Sequence, residues 1–585
     1  VRTITKLLVA NRGEIAIRVM RTAAEMGIAT VAVYSEADRD ARHVRYAGEA
    51  YLIGPAAPSQ SYLNGASVIE TARIAGADAI HPGYGFLAEN AAFARDVIAA
   101  GLLWVGPNPD AIDAMGDKIR SRQAMIKAGV PVVPGGVQPL ADAEDALRAA
   151  ADFGLPLALK ASGGGGGKGL KIARTLEEVP AAFAVAQREA QAYFKNPIVY
   201  AERYLENPKH IELQLLADKH GNAVHIGERD CSLQRRHQKL WEEAPARISD
   251  SVKHQLRTSC VDAAKAIGYD SAGTIECLVS GDDFFFLELN ARIQVEHTVS
   301  EAISGIDLIR EQIRIAAGEP IGYTQADVNF RGHAIEVRVN AEDPARDFAP
   351  SPGTVSAYVE PGGIGVRVDS AAFPGFVVTP DYDSMIAKLI VHAQTRDLAL
   401  ARLERAIDEF IIRGVPTTLP FLRALAAEPS VRDASHGTQT LERFAQGYEP
   451  AAAGPRAIDA RDAAGALPDD VVRVEVNDRM YAVRFLDRRA PAGAPARPAP
   501  RVPKRGGNGR SAPPAGNDIV SPIHGLVVEL AAAEGATVDE GQVVAVIEAM
   551  KMMNEIRAHR SGIVAKVHAA AGTTVEAQAP LLTLS

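Results

Sequence analysis

The chain opens on short apolar runs set between longer amphipathic stretches. Leu7 to Ala10 gives way to an Ala-, Ile- and Met-rich segment reaching Met26. Thr30 to Ser35, a second helical stretch near Ala66 to Ala75 and the run Ala77 to Ile80 follow. Strand-length runs alternating with helix-length ones predict a parallel α/β sheet from Lys6 to roughly Arg120. The pattern then changes. Residues 157–161 and 170–173 read as strands on either side of a glycine run, and 273–279 with 284–289 read as a hairpin turning at Ser280 to Asp283. Residues 471–486 alternate apolar and polar side chains as a small β ribbon does, whereas 490–516 are rich in Pro, Ala, Gly and Arg, the composition of a linker. Such a linker spans about 80 Å if fully polyproline-like and about 30 Å as a flexible coil, so whatever follows it is able to travel.

Beyond the linker the sequence repeats. Gly525 matches Gly562, Gly535 matches Gly572, Val538 matches Val575 and Ile547 matches Leu584, each at an offset of 37 residues. Two similar β halves are expected, each a strand, a turn at its glycine and a second strand. Glu548-Ala549-Met550-Lys551-Met552 falls between them, which places Lys551 at a hairpin between symmetric halves.

A length of 585 residues favours three or more folded units, and 47% hydrophobic with 23% charged residues is the composition of an ordinary globular protein. Acidic residues outnumber basic ones, 72 to 63, so no global charge draws the chain to nucleic acid or to an anionic membrane. Nor does any run approach the roughly 18 apolar residues that would cross a bilayer, and no signal-peptide pattern precedes the first strand; a cytoplasmic location is expected. Three cysteines, Cys231, Cys260 and Cys277, are too few for a disulfide framework and form no CxxC pair. The first turn, Asn11-Arg12-Gly13-Glu14, lacks GxGxxG, which argues against a dinucleotide site.

Three stretches carry candidate chemistry. Lys160-Ala161-Ser162 runs into Gly163, Gly164, Gly165, Gly166 and Gly167, then Lys168-Gly169. Five glycines alone would make a flexible linker, but between two strands they offer backbone N–H groups to phosphate; the spacing is not that of a Walker A loop. In the predicted hairpin Glu288 and Asn290 share a face and Glu276 comes opposite, an oxygen set suited to Mg2+ on phosphates; a solvated strand face is the bland alternative, which the apolar neighbours disfavour. Arg292, Gln294 and Glu296 recur at alternate positions, so an extended segment would aim a guanidinium, an amide and a carboxylate at a small oxyanion, with cations added from Gln234 to Lys239.

Taken together, HPGYGFLAEN (81–90), LKASGGGGGKG (159–169), ERDCSLQRRHQK (228–239), ELNARIQVEH (288–297) and EAMKM (548–552) resemble the biotin-dependent carboxylases, in family order and across most of the chain. The resemblance implies an α/β and α+β multidomain chain of the type found in α subunits of actinobacterial acetyl- and propionyl-CoA carboxylases. An ATP-grasp biotin carboxylase would comprise a Rossmann-like N-terminal domain (1–115), an ATP-grasp domain (116–330, lid at about 133–204) and a C-terminal domain (331–446). A small β segment for subunit docking (447–489), the linker (490–516) and a flattened β-barrel biotinyl domain (517–585) would follow.

By the same resemblance Lys118 and Lys160 bind ATP phosphates under the glycine lid. Glu202, Arg203 and Leu205 belong to the adenine hinge, with His210, Gln234 and His237 nearby, and Arg203 stands where lysine is common. Glu276, Glu288 and Asn290 hold Mg2+ or Mn2+. Bicarbonate lies against Lys239, Arg292, Gln294 and the Val295 backbone with Glu296 as base, Arg338 stabilises the biotin enolate, Tyr84 lines the biotin pocket, and Lys551 carries biotin. The implied reaction activates bicarbonate as carboxyphosphate and carboxylates biotin. No segment is large enough for a carboxyltransferase, so the implied partners are a separate β subunit that binds the acyl-CoA, and a biotin protein ligase, within a homo-oligomeric α/β assembly. Acetyl-CoA and propionyl-CoA are the expected acceptors; methylcrotonyl-CoA, longer acyl-CoAs and urea stay open. Another ATP-grasp ligase fused to an unrelated β domain, or a non-catalytic carrier with an inactive ATP-grasp domain, are the rival readings.

Overall fold

Strands β1 (Lys6–Val9), β2 (Ala29–Ser35), β3 (Glu49–Gly54), β4 (Ala79–His81) and β5 (Leu103–Trp104) pair in parallel in the order β3-β2-β1-β4-β5. Helix α1 (Gly13–Glu25) follows β1 and buries Ile15, Ala16, Val19 and Met20 in one cluster with the sheet residues Leu7, Val9 and Ala32, as its apolar spacing requires. Because strand order reverses between β1 and β4, the loops after these two strands open a crevice at the sheet's carboxyl edge. Asn11 closes one side of it by donating from Nδ2 to the carbonyls of Pro82 and Tyr84, both at 2.7 Å. Gly83 is confined to glycine there: its φ is +64°, and a Cβ would sit 2.9 Å from that same Asn11 nitrogen.

The structure is a computed structural model. It describes residues 1–116, 118–136, 138–161, 169–194, 196–236, 238–450, 471–476, 479–484, 517–522, 525–549, 552–576 and 578–585. They group into two units, 1–349 with 354–376 and 385–450, and 350–353 with 377–384 and 451–585.

In the first unit β6 (Leu157–Ala161), β7 (Leu170–Ala173) and β8 (Val199–Arg203) form an antiparallel sheet, order β7-β6-β8, backed by the helices Ala143–Phe153 and Val179–Phe194. A larger sheet follows from β9 (Lys209–Ala217), β10 (Ala223–Arg235), β11 (Gln238–Ala244), β12 (Ser271–Ser280), β13 (Asp283–Asn290), β14 (His333–Asn340), β15 (Val366–Ser370) and β16 (Met385–Ala393). Its order is β13-β12-β9-β10-β11-β14-β16-β15. The sheet therefore runs unbroken across residue 330, where the sequence suggested one domain ends and another begins. Helix α2 (His297–Ser304) packs Val299 and Ile303 onto it beside Ala244, Ala334 and Ile390.

In the second unit β17 (Val471–Val476) and β18 (Arg479–Arg484) pair antiparallel, which is the ribbon read in 471–486. The repeat region forms β19 (Asp518–Val520), β20 (Gly525–Leu530), β21 (Thr537–Val538), β22 (Val543–Ala549), β23 (Met552–Arg557), β24 (Gly562–Val567), β25 (Thr574–Val575) and β26 (Pro580–Leu584). These make two four-stranded sheets, β19-β26-β24-β21 and β23-β22-β20-β25, around one core of Val527, Val544, Ile547, Val564, Leu582 and Leu584. The 37-residue offset carries each strand of one sheet onto its counterpart in the other. Each half holds four strands rather than the two expected, because β19 and β23 are added ahead and the residues after the glycine turns (Gly535, φ +83°; Gly572, φ +87°) form short strands of their own. Lys551 lies outside the described residues, between β22 and β23. Among the described residues no helix is long and apolar enough to cross a membrane.

Candidate active site

One face of the large sheet carries charge where a core would be apolar. Burial without a partner would force these groups to neutralise, so their pairing defines the site. A cavity of about 700 Å³ opens over this face, lined at one end by Lys160 and residues 202–205 and at the other by Lys239, Glu276, Arg292 and Glu296.

At the inner end Lys239, rooted in β11, is the hub. Its ammonium donates to Glu212, to Glu276 Oε1 at 2.9 Å and to Glu296 Oε1 at 2.8 Å. Glu276 Oε1 also accepts from Asn290 Nδ2 at 2.9 Å and Gln294 Nε2 at 2.7 Å, while its Oε2 lies 2.9 Å from His210 Nε2. Arg229, fully buried, braces the group from below through Glu212 and Gln294, the latter at 2.6 Å. Arg338 spans Glu242 at 2.7 Å and Glu296 Oε2 at 3.0 Å. Arg292 is held by Glu89, at the end of the 81–90 motif, and by Asn290 Oδ1, at 2.9 and 2.8 Å.

The titrations follow from this geometry. Burial pushes the carboxyls of Glu212, Glu276 and Glu296 up, but the Lys239 charge overrides it and all three end below the usual carboxylate range. For His210 burial favours the neutral ring, yet the Glu276 charge and hydrogen bonds to Glu212 and Glu276 push it up to about 9. Glu242 behaves oppositely: burial raises it to about 8 despite Arg338, because Glu336 faces it directly across the β11–β14 pair.

At the outer end Lys160 pairs with Glu202, and Arg122 approaches the other carboxylate oxygen of Glu202 at 3.5 Å. The backbone of Arg203 and Tyr204 is pinned to the carbonyls of Pro134 and Pro156 at 2.8 and 2.7 Å, which sets residues 202–205 as a fixed rim. Leu205, His210, Gln234, Glu288 and Val295 line the same cavity. Tyr84 does not; its hydroxyl donates to buried Glu14 instead. Lys118 begins the helix Lys118–Lys127, with its side chain outside the described set, and Gly163–Gly167 and His237 also lie outside it.

Two sequence expectations need correcting. Residues 291–296 are bent and turned rather than extended, and Gln294 and Glu296 meet because the turn folds both toward Lys239. Among the described cations of 234–239 only Lys239 enters the cluster: Arg235 and Arg236 pair with Asp347, and Arg235 stacks 4.5 Å over the Phe348 ring. Sequence reasoning missed Glu212, Arg229 and Glu242. Their signal was present as charged residues interleaved with apolar ones in strand runs, KHIELQLLA and QKLWEEA among them. It also missed Thr438, Gln439 and Glu442 on the cavity wall, where Gln439 reaches the Tyr204 hydroxyl at 3.3 Å.

Comparison with known proteins gives this arrangement a family. Residues 3–112 match the biotin carboxylase N-terminal domain, 117–324 the ATP-binding domain of the carbamoyl-phosphate synthase L chain, 336–443 the biotin carboxylase C-terminal domain and 511–584 the biotin-requiring enzyme domain. The biotin-dependent acyl-coenzyme A carboxylase alpha3 subunit of Mycobacterium leprae is 45% identical over 98% of this chain and 97% of its own. The chain belongs to the biotin-dependent carboxylases. Biotin carboxylase 1 of Bacillus subtilis is 50% identical over 75% of this carboxylase and 99% of its own length. The crystal structure of the biotin carboxylase domain dimer of Hydrogenobacter thermophilus 2-oxoglutarate carboxylase, in complex with MgADP, ADP and bicarbonate, superposes with a TM-score of 0.73 at 48% identity, covering 77% of this carboxylase and all of that domain.

The fold is thus an ATP-grasp biotin carboxylase joined to a biotinyl domain, and the enzyme carboxylates biotin at the expense of ATP with Mg2+. The residues fit the ion. Glu276 and Glu288 are register partners on β12 and β13 and, with Asn290, present hard oxygen ligands to the cavity. His210, Glu212 and Glu276 bring ligand atoms within 4.8 Å of one another as well, but Lys239 already donates into that group, which makes it an ion-pair cluster.

Proposed function

We propose that this chain is the α subunit of an acyl-CoA carboxylase: it carboxylates biotin attached to its own Lys551 and hands the carboxyl group to a separate carboxyltransferase subunit, with acetyl-CoA or propionyl-CoA as acceptor. The observation that carries the carboxylase half is Glu296, held ionised between Lys239 and Arg338 at the closed end of a cavity whose other end presents Lys160 and residues 202–205. The acyl-CoA assignment rests on the Mycobacterium leprae protein, which matches this chain almost end to end, linker and biotinyl domain included.

Bicarbonate lies against the Arg292 guanidinium, the Gln294 amide and the Val295 backbone. An anion there competes for Lys239, and as that ammonium turns to it the Glu296 carboxyl loses its strongest counter-charge. Its pKa rises, and Glu296 takes the bicarbonate proton. Lys160, released from Glu202 by a nucleotide, and Lys118 steady the phosphates, while Glu276, Glu288 and Asn290 would hold Mg2+, which would supply positive charge against the phosphates. Biotin, when bound, would supply the ureido nitrogen that takes the carboxyl group, its proton leaving with the phosphate released from activated bicarbonate. Arg338, held beside Glu296, would stabilise negative charge on the ureido oxygen, and burial of the cluster keeps water away from activated bicarbonate. The ribbon within 471–486 is the docking element for the carboxyltransferase, and its deletion should abolish association without impairing carboxylation of free biotin.

The test is to isolate the chain with its adhering partner, supply Mg-ATP and labelled bicarbonate, and chase with a panel of acyl-CoAs. Label appearing on the acetyl or propionyl thioester supports the assignment. Label reaching only another acceptor overturns the acyl-CoA reading while leaving the carboxylase standing. Glu296→Ala should abolish bicarbonate-dependent ATP cleavage, and near-normal turnover would remove Glu296 as the base.

A further inference from the structure

Lys388 on β16 is completely buried. A lysine is seldom fully buried without a specific partner. Its nearest acceptor is not a carboxylate: the ammonium donates to the carbonyl of Val295 at 2.8 Å, whereas Glu14 Oε1 stands at 3.4 Å. A lysine present only as a counter-ion would close on the carboxylate. Around it lie Glu14, Glu336, Asp369 and Arg367, and the edge of its environment is Tyr84, whose ring centre is 5.9 Å away and whose hydroxyl donates to the same Glu14 oxygen. Across the sheet Lys388 is in register with Arg338 on one side and Asp369 on the other, so it shares the face that carries Arg338.

The Val295 carbonyl belongs to the peptide that joins Val295 to Glu296. That peptide sits at the end of a segment, 291–296, belonging to neither helix nor strand, so no ladder fixes its tilt. We infer that Lys388 is a positioning residue for the anion site: its ammonium orients the Val295–Glu296 peptide and, through Glu14, ties that peptide to Tyr84 on the facing loop. The inference rests on the reading that bicarbonate binds against Arg292, Gln294 and Val295 with Glu296 as base. Lys388 touches no substrate. Its effect should appear in the binding of bicarbonate and the rate of its activation, and not in the binding of nucleotide.

The experiment compares three forms of the full chain, Lys388→Met, Lys388→Met with Glu14→Gln, and Glu296→Ala. Each is assayed for bicarbonate-dependent ATP cleavage, with ADP affinity and melting temperature as measures of folding. The double variant removes Glu14, which stands at 3.4 Å and is the first of the carboxylates that Lys388→Met leaves short of counter-charge, so the lost hydrogen bond to Val295 is read apart from a charge imbalance at Glu14. The expected result is a rise of about tenfold in KM for bicarbonate in both Lys388 variants, with KM for ATP within about twofold of the parent. Restoration of the parent KM for bicarbonate in the double variant would reduce Lys388 to a counter-ion and overturn the inference, as would a parallel loss of ATP and bicarbonate binding. Should Glu296→Ala retain activity, the underlying reading of the anion site falls instead.

Discussion

The two units both bury apolar cores but differ in the charge they bury with them. In the carboxylase unit Arg229, Lys388, Glu212, Glu242 and Glu336 have no exposed surface at all, whereas among the described residues 517–585 the buried set is apolar except for Ser521. Activating an anion takes dry, oriented charge, and dry charge persists only while every partner is present. A carrier has only to hold its hairpin in shape, which packing does without ionic risk. Stability in the first unit is therefore tied to its chemistry, and in the second it is not.

Removing one charge from the first unit should produce the largest effect. Arg229→Met leaves Glu212 and the amide of Gln294 short of their donor and should cost about 4 kcal/mol, with loss of bicarbonate-dependent ATP cleavage. Calorimetry on the full chain checks it, and the carrier transition should not move. A truncation in the second unit sharpens the contrast from the other side. Leu582→Ala, at a position with no exposed surface, should cost about 3 kcal/mol in the carrier transition while ATP cleavage with free biotin continues. Finding the carboxylase transition equally lowered would dissolve the distinction.

The smallest effect is a pH slope. Burial raises Glu242 to about 8 and Glu14 and Glu336 to about 7, above their unfolded values, so the fold binds protons that the unfolded chain releases. The stability they contribute is fully present below the ordinary glutamate range and is lost as pH rises through 7 to 8. Glu242→Gln, a permanent mimic of the neutral acid, should melt close to the parent at about pH 5 and decline less steeply toward about pH 8.5. Parallel melting curves across that range would contradict the assignment.

How much of this was legible depends on how local the information is. The parallel sheet, the 273–289 hairpin and the 37-residue repeat were readable because apolar periodicity and turn glycines act within a few residues. The register of Glu276 against Glu288 followed from the same hairpin. What could not be read was contact at long range. Arg18 meets Glu301, Glu89 reaches Arg292 from the N-terminal sheet, and Lys388 reaches Val295 from a strand some ninety residues on. Alternation along 292–296 suggested an extended segment, yet the chain turns there because Glu296 is the N-cap of α2. The arginines of 234–239 looked alike in sequence, and only the tertiary neighbours Asp347 and Phe348 separate them from Lys239.

The 37-residue symmetry of the biotinyl domain has a mechanical consequence. Shifted by that offset, the β22–β23 pair that flanks Lys551 coincides with the β26–β19 pair, where Asn517 leads into the domain and Leu584 returns to bond with it. The domain is topologically a closed ring cut at one of two equivalent joints. Tension entering at Asn517 is borne by Asp518–Val520 against Pro580–Leu584 and bypasses the β22–β23 pair. A circular permutant that sealed residue 585 to 517 and opened between β22 and β23 would keep every strand pairing among the described residues, and would cut the chain at the joint proposed to carry biotin.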